Sequence, residues 1–287
     1  MNIQINFTSP LYDKSEQYYE NYLQKTIDEI IIFISNKNIK YLTIAIYDLI
    51  DEYDRTTKKI IIQKKRIDNN TFIDNLKNRL KNKINLLNDK LIIKYRLFRA
   101  IRENENEKQL LDWFINIGNN VADSFVFAGN YKNKLLTTDK ALKFITNNNI
   151  IKKEYGCVTI FHRNNELERC LHRINLGSSF FVSQIIVDNN VNDTTKDFFN
   201  IINVPIYINI TLVSSSNIWN LLKSLGVISN YNFENNIPQN ENEIYNHIYK
   251  LIKFIKKENK YISFEMLTHI KKERTYGFLK FNELLNK

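Results

Sequence analysis

The chain has 287 residues, which is enough for one large domain or two ordinary ones, each with a sizeable core. At 43% hydrophobic residues it is not a disordered chain, and two cysteines are too few for a disulfide framework, so a reducing compartment is expected. The net charge of +10 fits a phosphate-bearing partner (nucleic acid, an anionic membrane or a nucleotide), or else a lysine bias spread along helical faces.

The N-terminal segment has no basic stretch followed by an apolar one, so no secretory signal is expected, and no apolar run is long enough to span a bilayer. NIQINF, Asn2–Phe7, predicts a first strand, and Tyr18–Asn36 a helix from its apolar spacing. YLTIAIY, Tyr41–Tyr47, is rich in β-branched and aromatic residues and predicts a second strand. Phe72–Asn104 reads as a long, highly charged helix, and Lys108–Ile117 as another. KLLTT, Lys134–Thr138, predicts a short strand, with Asp139 capping the helix after it. The polar stretch Thr146–Gly156 reads as a linker, dividing the chain into 1–150, a helix-rich half of open role, and 151–287.

The second half alternates strand and helix. Strands are expected at Cys157–Phe161, Phe180–Val187 and Pro205–Leu212, and helices at Glu166–Ile174, Asp193–Ile202, Asn217–Leu225 and Glu241–Lys257. Such alternation implies βαβ units and a mostly parallel sheet with flanking helices. In open sheets of that kind, ligands sit beyond the carboxyl ends of the strands. His162, Arg163 and Asn164 follow the first of these strands, and Asp188, Asn189 and Asn190 the second. Side chains of this type on short loops suit ribose hydroxyls and a base edge. The histidines form no metal-binding spacing, so a zinc site is not expected.

Taken together, VTIFHRNNELERCL, IIVDNNVNDTT, VPIYIN, NIWNLLKSLG and NYNFENNIP resemble, in order, the landmarks of family-2 glycosyltransferases with the A-type nucleotide-sugar fold. The resemblance covers roughly Gly156 to Met266 and implies a Rossmann-like, nucleotide-sugar-binding domain. It implies that Asp188 holds the nucleoside, that His162, Asn164 and Asn190 line the base and ribose, and that Glu234 and Asn236 stand where the family carries Asp-x-Asp. Mn²⁺ or Mg²⁺ on Glu234 and Asn236 would bridge the donor diphosphate. The implied partner is a nucleoside-diphosphate sugar, with a lipid or glycan acceptor or an anionic membrane surface beside it. Asn236 replaces the family's acid, and a non-catalytic relative that keeps only the binding role is the degenerate form of the same reading. Glu265 stands behind the triplet, but no catalytic base is assigned.

The first half offers an alternative. IAIYDLIDEYDRTTKK and NNVADSFVFAGNYKNKLLTTDKAL resemble the later motifs of PIN-domain ribonucleases, which implies Glu52, Asp123 and Asp139 as a metal-binding carboxylate set acting on RNA. The family's first acid has no counterpart, because Asn6 takes its place. Under either reading the protein is expected to be cytoplasmic, with peripheral membrane contact open in the first.

Overall fold

The computed structural model describes residues 1–47, 52–53, 60–61, 65–101, 106–117, 121–129, 136–161, 163–187, 193–213, 215–224, 227, 241–258, 260–267 and 271–287. Eight parallel strands close into a barrel in the order β1 (Asn2–Thr8), β2 (Tyr41–Tyr47), β5 (Ile92–Ala100), β6 (Ser124–Ala128), β7 (Glu154–Thr159), β8 (Phe180–Ser183), β9 (Ile206–Thr211) and β10 (Tyr261–Glu265). The last strand returns to the first, with Ile3 opposite Ile262 and Ile5 opposite Phe264. Two further short strands, β3 (Glu52–Tyr53) and β4 (Ile60–Ile61), form an antiparallel pair between β2 and β5. The outer layer contains α1 (Glu16–Ile34), α2 (Asn69–Leu87), α3 (Glu107–Ile117), α4 (Thr138–Asn147), α5 (Glu166–Asn175), α6 (Asp193–Ile201), α7 (Ser216–Ser224), α8 (Glu241–Lys257) and α9 (Lys271–Leu285).

Each strand has two faces because successive side chains point opposite ways. Ile3, Ile5 and Phe7 of β1, Leu42, Ile44 and Ile46 of β2, and Ile262 and Phe264 of β10 belong to the large outer core beneath the helices. Each such burial is worth about 1.5–3 kcal/mol. Ser15 starts α1 by accepting the Tyr18 N–H at 3.2 Å, and the helix buries Leu23, Ile27, Ile30, Phe33 and Ile34. Helix α9 seals the junction of first and last strands. Its Phe281 stacks on Phe264 at 3.8 Å between ring centroids, and Phe278 meets Phe7, Phe33 and Phe264.

The closed barrel corrects the expectation of an open Rossmann-like sheet joined to a helix-rich N-terminal half. Residues 1–150 contribute four barrel strands, and β6 pairs with β7 across the expected boundary, Ser124 opposite Glu154. The stretch 72–104 is not one helix: α2 ends at Leu87 and β5 begins at Ile92. Charged Lys94 and Arg96 hide β5, since they alternate with Tyr95 and Leu97 facing the helices. The start of the strand expected at 134–138 lies outside the described residues, while 136–137 lead into α4, which Thr137 rather than Asp139 caps; the strand before α4 is Ser124–Ala128. The supposed linker 146–156 contains the start of β7. Among the described residues, no helix is long and apolar enough to cross a membrane.

Candidate functional site

The barrel interior has two sides. Ala45, Phe98, Val126, Phe180 and Val182 form an apolar wall, with Tyr47, Val158 and Tyr207 packed against it. Opposite it, the inward side chains of β1, β9 and β10 are polar: Gln4, Asn6, Asn209 and Ser263 are all buried. Buried amides must be hydrogen-bonded, and these make a directed chain through the barrel. Arg96 donates to the Gln4 Oε1, and Gln4 Nε2 donates to Asn6 Oδ1 at 2.8 Å. Asn6 Nδ2 donates to Asn209 Oδ1 at 3.1 Å, and Asn209 Nδ2 donates to the Tyr47 hydroxyl at 3.2 Å. A guanidinium can only donate, so it sets the direction of every amide beyond it. Ser263 supplies a side acceptor for both Gln4 and Asn6.

The chain ends at Glu265, the last residue of β10, on the C-terminal face of the barrel. The side chains of Tyr47 and Asn209 lie near enough to its carboxyl to favour its charged form. Burial pushes that carboxyl up to about 7, against the opposing pull of the Tyr47 and Asn209 side chains. Burial likewise holds the Tyr47 phenol well above its ordinary value, reinforced by the neighbouring Glu265 charge. The site is braced on two sides: Thr211 Oγ1 donates to the Glu265 carbonyl at 2.8 Å, and the Tyr47 ring lies 4.3 Å from the Phe98 ring. Gln184, the residue after β8, has a buried Oε1 with no hydrogen-bond partner. Strands β5 and β6 end on the small residues Ala100 and Ala128. A carboxyl poised near neutrality, a phenol, two amides and an orphaned acceptor at the C-terminal end of a parallel barrel form the place where such folds hold ligands.

The residues singled out from the sequence are placed differently. Asn164 lies exposed in the turn before α5. His162, Asp188, Asn190, Glu234 and Asn236 lie outside the described residues, and so does the site expected for Mn²⁺ or Mg²⁺. Among the described residues, no group of three His, Cys, Asp or Glu gathers as a metal cluster. The carboxylate set of the ribonuclease reading is not assembled. Asp123 precedes β6 and accepts the Tyr95 N–H at 2.7 Å, while Asp139, in the first turn of α4 after β6, pairs with Arg173 at 2.9 Å. They stand at opposite ends of a five-residue strand, about 16 Å at the usual rise. Glu52 opens β3. Sequence reasoning passed over Tyr47, Asn209 and Gln184. The available signal was the alternation of amides with isoleucine in NIQINF and IYINIT.

No protein-family model matches the sequence, and no curated protein matches it. Among solved structures, the fold matches an uncharacterized protein from Clostridium thermocellum that binds two copies of 5-methyl-5,6,7,8-tetrahydrofolic acid. The TM-score is 0.62 at 20% identity, over 97% of this chain and 93% of that one. It also matches the homocysteine methyltransferase MmuM from Escherichia coli in its apo form, with a TM-score of 0.51 at 6% identity, over 99% and 95% of the two chains. At these identities the likeness establishes the fold. It overturns the glycosyltransferase and PIN-domain resemblances, because β7 to β10 are consecutive staves of a closed barrel, each paired on both sides. The nucleotide-sugar donor, and the lipid, glycan or membrane partner beside it, lose their basis with that fold.

Proposed function

We propose that the C-terminal face of the barrel binds a reduced folate, with the pterin ring entering the mouth and the ring's amidine edge meeting Glu265. The single observation that carries this reading is the buried Glu265 carboxyl, set between Tyr47 and Asn209 and pushed up to about 7. A carboxylate offers two parallel acceptors to the adjacent N–H and NH₂ donors of a pterin, a bidentate match that is strong when water is excluded. Asn209 and the unpartnered Gln184 oxygen add directional polar groups. The apolar wall of Phe98, Val126 and Val182 suits a flat ring. The tetrahydrofolate-binding protein of the same fold supports the choice of ligand class. A cytoplasmic setting accords with it, both cysteines being buried free thiols.

Calorimetric titration with 5-methyltetrahydrofolate tests the proposal. Saturable binding is expected, weakened about 100-fold in Glu265→Gln, which keeps the shape but loses one acceptor and the charge. Binding should also be about tenfold weaker at pH 6 than at pH 8, because the ionised carboxyl is the binding form. Absence of binding at millimolar ligand, or equal binding by Glu265→Gln, refutes it.

A further inference from the structure

The opposite end of the barrel holds a second cavity. At the N-terminal mouth a pocket of about 200 Å³ is lined by Tyr41, Lys94, Arg96, Phe180, Tyr207 and Tyr261, among others. Arg96 forms its floor and is 2% exposed. The guanidinium carbon lies 3.9 Å from the centre of the Phe180 ring and 4.3 Å from that of Tyr207, and the two rings stand edge to face beside it. Its Nε donates to Ser124 Oγ at 2.9 Å and its Nη1 to Gln4. Every one of these partners is formally neutral. Among the described residues, no carboxylate lies within ion-pair distance of Arg96. A buried charge without a close counter-charge is costly; here aromatic rings and neutral acceptors lie against it, and Glu154, which also lines the pocket, favours its charge from beyond ion-pair distance.

The rim carries the second cation. Lys94 points to the same pocket and pairs with Glu154 at 3.8 Å, with side chains 45% and 58% exposed. An exposed pair at that distance is worth little and opens readily. The hydroxyls of Tyr41, Tyr207 and Tyr261 add donors around the mouth. The volume corresponds to roughly six waters, which admits a phosphate or a small carboxylate but not a folate-sized molecule.

From this arrangement we infer that the N-terminal mouth is a binding site for a small oxyanion, a phosphate or carboxylate group, held between Arg96 at the floor and Lys94 at the rim. The site is separate from the folate face and does not depend on that assignment. Oxyanion oxygens would give Arg96 a directly contacting counter-charge, which Glu154 does not, and draw Lys94 away from Glu154.

The test uses the full chain, with inorganic phosphate and benzoate as the two probes at constant ionic strength. Thermal unfolding and amide NMR shifts are the readouts. A saturable stabilisation with millimolar Kd is expected for at least one probe, and the preferred probe tells phosphate from carboxylate. Lys94→Ala, which alters a half-exposed side chain, should weaken binding three- to tenfold, and Arg96→Gln should abolish it. If Arg96→Gln does not fold, Lys94→Ala together with Lys94→Glu decides the matter, the latter losing binding altogether. Glu265→Gln should leave phosphate and benzoate binding unchanged. The inference is overturned if neither probe gives saturable binding, or if binding is the same in wild type and the Lys94 variants.

Discussion

Replacing Glu265 by Gln should make the protein more stable at pH 8, and much less so at pH 5. Glu265 is raised from an ordinary 4.5 to about 7 in the folded protein, chiefly by burial. Between those values the folded state binds more protons than the unfolded state, so stability falls as pH rises from about 4.5 to about 7 and levels off above that. At about 1.4 kcal/mol per pH unit, the full difference is roughly 3 kcal/mol, an upper bound that Gln recovers by removing the charge. Below pH 4.5 both states carry the neutral carboxyl and no difference remains. The amide chain from Gln4 to Tyr47 does not include the Glu265 side chain and survives the substitution. Urea unfolding of wild type and Glu265→Gln at pH 5 and pH 8, compared at constant slope, measures the effect. The variant should gain 1–3 kcal/mol at pH 8 and less than about 1 kcal/mol at pH 5. An equal difference at both pH values would show that Glu265 is not a strained buried acid, and the ligand argument built on it would fall too.

Two further outcomes bear on the scaffold. Gly156→Ala should lower the melting temperature sharply, costing about 3 kcal/mol or more, because a β-carbon there would sit 2.4 Å from the Phe180 carbonyl oxygen and 2.6 Å from its ring. The same variant should weaken oxyanion binding, since Phe180 packs against the Arg96 guanidinium. Phe278→Ala, read by chemical denaturation, should cost about 3–5 kcal/mol, because the ring is fully buried among Phe7, Phe33 and Phe264. A loss under 1 kcal/mol would mean that α9 does not seal the barrel.

Much of the outer layer is legible along the chain. β1 and β2 stand out because their helix-facing residues are isoleucine and phenylalanine, and α1 because its apolar stripe follows a serine cap. β5 is not legible, because Lys94 and Arg96 look like a solvated helix face while in fact pointing into the barrel. β10 is short and lies alone between helices, so YISFE carries little signal by itself. The site suffers in the same way. Asn6 reads as a missing nuclease acid, and becomes instead one link in a hydrogen-bond chain that reaches Asn209 across more than two hundred positions.

The amino-acid order by itself determines which residues alternate on each strand and which helical stripes must be covered, since those follow from local backbone geometry and the aversion of apolar groups to water. It does not determine which strand face becomes the inside. That was decided only when β10 paired with β1, a contact between the two ends of the chain that turned the polar faces of β1, β9 and β10 inward. Closure removed those amides, Arg96 and Glu265 from water together, and their desolvation is what makes the amides and Arg96 hydrogen-bond to one another and perturbs the acid.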